Sequence, residues 1–192
     1  MRKLVYYVGV TIDGYIAGPG GEYDFFPLND SYSAWMNGHL PETVPTPMRA
    51  ALGLTETPAA RFDTVLMGLG TYRPALDAGL TDPYAHLRTY VVSSTLPADT
   101  DPAVTVVKDD PLGLVRQLKR QEGRDIWLCG GGLLAGALLP EIDELVVKSY
   151  PVLAGSGIPM VAGGFAPTLF TPTDRKSFDT GTTVTWLSRN TT

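Results

Sequence analysis

The sequence predicts an α/β fold built on a mixed, mostly parallel sheet, with helices on both faces and a C-terminal antiparallel hairpin. Several short segments are apolar throughout and rich in β-branched residues, which is typical of strands buried on both faces. A segment with helix start and stop signals lies between two of them. Near the C-terminus, apolar and polar residues alternate instead, which indicates half-exposed antiparallel strands.

The predicted strands share β-branched and aromatic residues bounded by turn residues. They comprise residues 4–10, 64–67, 89–92, 104–107, 126–129 and 144–150. The first runs into an Asp13-Gly14 turn and is predicted to be central. Residues 168–170 and 182–188 are predicted to form the C-terminal hairpin through a turn at 179–181.

The clearest predicted helix covers residues 111–123. Asp110 is placed to cap it, Pro111 takes its first position and Gly123 ends it. Its predicted buried stripe consists of Leu114, Val115 and Leu118. In contrast, residues 18–58 are rich in Gly, Pro, Asn and Thr, with short helical pieces only at 35–36 and 48–52. We expect that segment to cover or line a site.

Bulk composition favours one soluble domain spanning residues 1–192. A chain of this length that is 44% hydrophobic can bury a substantial core. The net charge of −5 and the scattered basic residues argue against nucleic-acid binding. The lone Cys129, the absence of a signal-peptide pattern and apolar runs shorter than the ~20 residues of a membrane span predict a cytoplasmic protein.

The most informative motif is the glycine run of Gly130, Gly131 and Gly132 between an apolar strand and an apolar helical pattern. Glycines let a ligand approach the backbone, and the N–H groups of the following helix favour an anion, so the motif predicts a nucleotide phosphate site. A Rossmann fingerprint is disfavoured because no acidic residue follows ~20 positions onward. The alternative is that the glycines only permit a tight turn and close helix packing.

Two further strand ends follow the same logic. Gly68 and Gly70 precede Thr71, which is placed to cap a short helix, and a third strand ends in Ser93 and Ser94. Ordinary turn chemistry is the alternative for the two serines. Ligands of open α/β sheets bind beyond the carboxyl ends of the strands, so we expect the three ends to converge on one crevice.

These blocks resemble a known family. Residues 10–18, 65–72, 90–94, 126–132 and 143–159 resemble, in order, the dihydrofolate reductase fold, particularly its riboflavin-pathway reductase branch, the RibD C-terminal domain. The resemblance runs from about residue 4 to the final hairpin. It implies a single dihydrofolate reductase-like (RibD C-terminal-like) domain.

The resemblance also implies an NADPH groove. The residues it places there are Gly68 and Thr71 at the pyrophosphate, Ser93 and Ser94 at the adenosine ribose and its 2′-phosphate, Gly131, Gly132, Leu133 and Leu134 along the pyrophosphate and nicotinamide ribose, and Gly9, Ile16 and Ala17 beside the nicotinamide. The chain departs from the pattern at Leu69, where related reductases often carry an Arg that holds the phosphates. Arg73 and Arg88 are the candidates to replace that charge.

The implied activity is that of an NADPH-dependent oxidoreductase that transfers a hydride to a pteridine-like or ribosylaminopyrimidine-like heterocycle. It would resemble either 5-amino-6-(5-phosphoribosylamino)uracil reductase or dihydrofolate reductase. The alternative is a non-catalytic nucleotide-binding protein of the same fold. A homodimer is expected from the resemblance, and because a partner often covers an exposed edge hairpin.

The substrate end has fewer signals. Asp24, flanked by aromatic residues, is the predicted proton donor, Asp30 is its rival or a helix cap, and a solvated loop carboxylate is the alternative for Asp24. Tyr7 and Tyr150 would face a flat substrate, or else belong to the core. No metal site is expected, since neither His39 nor His86 has a partner at ligand spacing.

Overall fold

The computed structural model describes residues 1–27 and 30–190. Eight strands form one sheet in the order β5-β4-β3-β6-β1-β7-β10-β9. These strands are β1 (Leu4–Val10), β3 (Phe62–Gly68), β4 (Arg88–Val92), β5 (Val104–Val107), β6 (Asp125–Gly130), β7 (Ile142–Ser149), β9 (Phe170–Ser177) and β10 (Thr183–Arg189). All neighbours from β5 to β7 are parallel, and β10 is antiparallel to both β7 and β9. The predicted dihydrofolate reductase-like architecture is therefore confirmed.

Helices cover both faces of this sheet. They are α1 (Asp30–His39), α2 (Thr46–Arg49), α3 (Leu69–Asp77), α4 (Pro111–Arg120) and α5 (Gly132–Leu138). The central strand β1 alternates accordingly, with Val5 and Tyr7 in a core beneath α1 and α3, and Tyr6 in a core beneath α4 and α5. Both faces are buried, which explains why β1 reads as an uninterrupted apolar run.

The helix α4 matches its predicted start but not its predicted end. The Asp110 carboxylate accepts a hydrogen bond of 2.8 Å from Gly113 N, as expected of an N-cap. The helix ends at Arg120, with Gln121 as C-cap. Gly123, predicted as the terminator, instead lies in the following turn with φ of +138°. Val115 and Leu118 are buried as predicted, whereas Leu114 is only half-buried.

The first strand of the C-terminal hairpin was predicted at the wrong place. It covers Phe170–Ser177 rather than residues 168–170. Among the described strands, this one pairs only with β10. It is exposed along almost its whole length, so neither face imposes an apolar alternation on its sequence. Gly181 turns the chain between the strands with φ of +84°, at the predicted turn.

A two-stranded sheet of β2 (Tyr15–Ala17) and β8 (Ile158–Pro159) was not predicted from the sequence. These strands are too short to carry a periodic signal. In the 18–58 segment, the helical piece predicted at 48–52 instead lies at α2, and the piece at 35–36 belongs to α1. Among the described residues, no helix has the length and apolar character to cross a membrane.

Candidate active site

The strand order places the glycine run in the middle of one sheet edge. Strand β6 lies between β3 and β1, and all three run parallel, so their carboxyl ends meet at the same edge. The edge therefore carries Gly68 at the end of β3, Gly130 at the end of β6 and Val10 at the end of β1. Ligands of open parallel sheets bind in such a crevice.

Thr71 and Ile16 flank the glycine run. Gly130 has φ of +138°, and its peptide bond to Gly131 is cis. A Cβ placed on Gly131 would lie 3.5 Å from Thr71 Oγ1 and 3.7 Å from Ile16 Cδ1. A Cβ placed on Gly68 would lie 3.7 Å from Gly131 N. Four residues predicted to contact one coenzyme are thus brought together around one notch.

Two helices begin at this edge without a side-chain cap. Gly68 is the N-cap of α3 and Gly131 that of α5, and neither cap position supplies a side-chain hydrogen bond. Helix α4, which also follows a parallel strand, has the Asp110 cap. The prediction that Thr71 caps α3 was wrong, because Thr71 is the third residue of the helix. First-turn N–H groups lack intrahelical acceptors, so α3 and α5 can donate to a phosphate.

The two serines beyond β4 differ. Ser93 is buried, and its Oγ accepts hydrogen bonds from Leu96 N at 2.9 Å and Thr95 N at 3.2 Å. This is the turn chemistry that the sequence left as an alternative. Ser94 is exposed at the same edge. Ser94 is therefore the more accessible of the two hydroxyls.

Of the residues that follow Gly131, some pack against the rest of the fold and others remain accessible at the site. A Cβ on Gly132 would overlap the Pro159 carbonyl oxygen, and Ala162 N donates to Gly132 O at 2.9 Å. Close packing, the alternative reading of the glycine run, thus accounts for Gly132. Leu134 is buried in the core, and Leu133 is 80% exposed. Ala17 is buried and pairs with Ile158 of β8 beside the notch.

Of the two arginines expected to replace the missing cation at position 69, only Arg73 remains. Arg88 opens β4, so it lies at the opposite edge of the sheet, where it pairs with Asp63 at 3.1 Å. The suggestion that Arg88 contacts the coenzyme was therefore wrong. Arg73 is exposed on α3, and within residues 1–27 and 30–190 it forms no ion pair.

Asp13 joins the two turns that follow β1 and β7. Its carboxylate accepts hydrogen bonds from Thr11 Oγ1 at 2.6 Å, Ala154 N at 3.1 Å and Gly155 N at 2.7 Å. These bonds, with the Thr11 hydroxyl contributing most, lower the pKa of Asp13 to about 2. The sequence predicted that Asp13 stabilises the Asp13-Gly14 turn and orients nearby backbone; it did not identify Ala154 and Gly155 as the partners.

On the α1 face, aromatic side chains from distant segments form one cluster, which is the candidate substrate end. Tyr7 of β1 and Tyr150 after β7 are buried on the α1 face. Phe26 packs on Tyr150 with ring centroids 4.7 Å apart, and Tyr32 of α1 meets Tyr150 edge-on at 6.0 Å. A Cβ on Gly9 would lie 3.1 Å from Tyr150 Cε2, so the glycine admits this ring over β1.

Lys148 of β7 was not identified from the sequence. Its Nζ lies 4.2 Å from the centroid of the Tyr7 ring. Val146 and Tyr150 lie in the core on the α1 face, so the two-residue period of a strand places Lys148 on that face as well. The two-residue period of β7 could have placed Lys148 on this face from the sequence. The apolar residues on both faces of the strand made that period hard to recognise.

Protonated groups lie near this lysine. Burial raises the pKa of Cys129 to about 12, and the charge of Lys148 and a hydrogen bond with Tyr84 oppose the rise. Burial likewise raises the pKa of Tyr7 and of Tyr32. Cys129 and these phenols are therefore neutral at physiological pH.

Neither predicted acid is buried. Asp24 and Asp30 are both exposed, and Asp30 is the first residue of α1. Asp24 lies two positions before Phe26, which packs on Tyr150. Its proton-donor role depended on burial, so it stays a prediction that requires the loop to close over a ligand.

Glu42 holds the chain above the substrate end and was also missed. It is fully buried, and its carboxylate accepts from Ala60 N at 3.0 Å and from Arg61 N and Phe62 N at 2.7 Å each. These bonds attach the 3₁₀ turn Pro41–Thr43 to the start of β3. Thr43 of that turn hydrogen-bonds with Tyr7.

Comparisons with known proteins identify sequence relatives and proteins of the same fold. Two Bacillus subtilis (strain 168) proteins are similar in sequence: the uncharacterized protein YwjB, 29% identical over 163 residues (83% of this chain and 82% of that protein), and the uncharacterized protein YyaP, 26% identical over 171 residues (83% and 80%). A putative riboflavin biosynthesis protein from Shewanella sp. PV-4 superimposes with a TM-score of 0.71 at 21% identity, over 99% of this chain and 100% of that one.

Longer proteins share the fold. The Thermotoga maritima diaminohydroxyphosphoribosylaminopyrimidine deaminase/5-amino-6-(5-phosphoribosylamino)uracil reductase superimposes with a TM-score of 0.65 at 14% identity, covering 98% of this chain and 57% of that one. Acinetobacter baumannii RibD gives a TM-score of 0.67 at 17% identity, covering 99% and 58%. The sequence model of the RibD C-terminal domain matches residues 2–184. The chain therefore belongs to the RibD C-terminal domain family.

Proposed function

We propose that this protein is an NADPH-dependent reductase of a flat heterocycle, of the pteridine or ribosylaminopyrimidine type. The observation that carries the proposal is the placement of two uncapped helix starts and a glycine notch at one sheet edge, directly beside a cluster of buried aromatic rings. Such an edge fits a dinucleotide because main-chain N–H groups can hold its pyrophosphate without side-chain obstruction.

The residues proposed to hold NADPH are those that the family resemblance assigns to it. They are Gly68, Thr71, Gly131, Gly132, Leu133 and Leu134 at the phosphates and ribose, Ser93 and Ser94 at the adenosine, and Gly9, Ile16 and Ala17 beside the nicotinamide. When bound, NADPH supplies the hydride for reduction. We propose Arg73, one turn after Leu69 on α3, as the side chain that offsets the missing charge.

The chain contributes orientation, a dry surface and a proton. Tyr7 and Tyr150 are the aromatic side chains proposed to meet a planar substrate, and Phe26 packs on Tyr150. Asp24 is the proposed proton donor from the loop that carries Phe26. Its exposure means that the loop must desolvate it against the substrate for the carboxyl to serve as an acid.

A thermal-shift panel of NADPH, NADH, FMN and ATP tests the coenzyme, since selective binding raises the apparent stability. We expect NADPH to give the largest shift. Assays of NADPH oxidation with pteridines and aminopyrimidines then test turnover. Leu69 and the exposed Asp24 favour one competing function, a non-catalytic nucleotide-binding protein, which tight NADPH binding without turnover on any acceptor would support.

Asp24→Asn tests the proton donor, with Asp30→Asn as the matched control on the neighbouring exposed carboxylate. We expect Asp24→Asn to reduce turnover by about 10²-fold or more, the usual contribution of acid catalysis, and to leave NADPH affinity unchanged. Equal pH profiles for Asp24→Asn and the wild type would remove Asp24 from the mechanism.

We also propose a homodimer, in a cytoplasmic setting. Phe165 is 98% exposed, a large apolar side chain that a second copy would cover. The edge strand β9 is a poorer contact, because Pro172 and its charged neighbours oppose strand pairing. Light scattering should give a dimer for the wild type and a monomer for Phe165→Ser. A monomeric wild type at working concentration refutes the proposal.

A further inference from the structure

We infer that Lys148 is the specificity-determining cation of the substrate end, where its ammonium group holds an anionic oxygen of a flat ring that stacks beside Tyr7 and Tyr150. The inference rests on the proposed function and deepens it by naming the charge of the substrate. The ligand class is a planar nitrogen heterocycle with an ionised ring oxygen, such as a pyrimidine enolate.

Gly9 gives Lys148 its position. The two residues are cross-strand neighbours in the parallel pairing of β1 and β7. A Cβ on Gly9 would lie 3.6 Å from Lys148 Cε and 3.9 Å from its Nζ. The lysine stem thus crosses β1 above the glycine and brings its ammonium group to 4.2 Å from the Tyr7 ring centroid. The cation is held at the aromatic surface.

The charge of Lys148 has no carboxylate partner in residues 1–27 and 30–190. Lys3 pairs with Glu144 and Lys119 with Glu141 and Asp143, whereas no ion pair involves Lys148. Its neighbours are the phenols of Tyr7 and Tyr32 and the Cys129 thiol, all neutral near pH 7.

A half-buried cation that forms no ion pair with the described residues attracts an anion. Partial burial removes part of the water around the ammonium group, which strengthens any charged hydrogen bond that it donates. The aromatic rings add stacking for a planar ligand but no counter-charge. A neutral ring can use the stacking alone, and an ionised ring uses both, so the site discriminates by charge.

Barbituric acid and uracil provide the probe pair, because they share the pyrimidine ring and only barbituric acid is ionised at neutral pH. Their affinities for the protein without NADPH are measured by isothermal titration calorimetry. We expect the wild type to prefer barbiturate by about tenfold or more, the range of one charged hydrogen bond. Lys148→Met should abolish that preference and leave uracil affinity unchanged. Lys148→Arg should retain most of it.

Lys176→Met is the matched control. Lys176 also lies over an aromatic ring, that of Phe178 at 5.8 Å, but on the exposed strand β9. The Lys176→Met substitution removes the same charge and should keep the wild-type preference for barbiturate over uracil. The inference is overturned if barbiturate fails to bind the wild type at millimolar concentration, if Lys148→Met keeps the preference, or if Lys176→Met loses it equally.

The same proteins separate this inference from the proposed function. A wild type that shows the Lys148-dependent preference but no NADPH shift would refute the reductase proposal and leave the cation site standing. A wild type that binds NADPH but prefers neither ring would refute the cation site and leave the reductase proposal standing. Thermal melting of each variant checks its folding.

Discussion

The proposed coenzyme edge and the proposed substrate end differ in composition. The first consists mainly of main-chain groups and the second of side chains. The coenzyme edge consists of glycine turns and helix starts, so its chemistry lies in main-chain N–H groups around Gly68 and Gly131. The substrate end consists of side chains from β1, β7, α1 and the loops before and after α1. A main-chain site depends on local geometry, whereas a side-chain site depends on which distant segments the fold brings together.

This difference has a functional consequence. Main-chain contacts can hold a phosphate group with little dependence on side chains, so the edge suits a ligand shared by many reductases. In the proposed function, Tyr7, Lys148 and Tyr150 would decide which ring the substrate end accepts. We therefore expect substitutions at the substrate end to change substrate choice without changing coenzyme affinity.

The largest expected effect is a loss of stability, caused by a substitution in the loop above the substrate end. Glu42→Ala leaves three backbone N–H groups without their acceptor in a buried region and should lower the free energy of unfolding by about 3 kcal/mol. Urea denaturation measures the loss, with Glu56→Ala, an exposed loop carboxylate, as control. A change below ~0.5 kcal/mol would mean that Glu42 does not secure this loop.

A smaller effect is expected on coenzyme affinity when Arg73 is substituted. Arg73→Ala should weaken NADPH binding by about tenfold, corresponding to one charged hydrogen bond, and leave NADH binding unchanged. Isothermal titration with both coenzymes measures the ratio, and Arg175→Ala on the exposed strand β9 is the control. An equal loss for both coenzymes would place Arg73 away from the 2′-phosphate.

The smallest effect concerns Asp13, which joins the turns that follow β1 and β7. Its pKa in the folded protein is about 2, below the ordinary value of ~3.9, so its contribution to stability is fully present above pH ~4 and is lost as the pH falls toward 2. Asp13→Asn should therefore lower stability at neutral pH and flatten the pH dependence in that window. Thermal melts from pH 2 to pH 6 test this, with Asp99→Asn as control.

Sequence patterns predicted the fold and the glycine edge because both depend on local features. The apolar strands, the Asp110 cap and the glycine run each mark their own structure. The exposed strand β9 lacked such a signal and was misplaced. Glu42 and Lys148 were missed because their partners lie far away in the chain, and Arg88 was misassigned because its edge of the sheet depends on strand direction.

Calorimetric titration of NADPH into Gly131→Val tests the central claim most directly, with Gly164→Val as control. A side chain on Gly131 would fill the notch beside Thr71 and Ile16, whereas one on Gly164 meets no atom within 4 Å. We predict that the wild type and Gly164→Val bind NADPH alike, and that Gly131→Val binds at least about tenfold more weakly. Undiminished binding by Gly131→Val, or no binding by the wild type, would contradict the account.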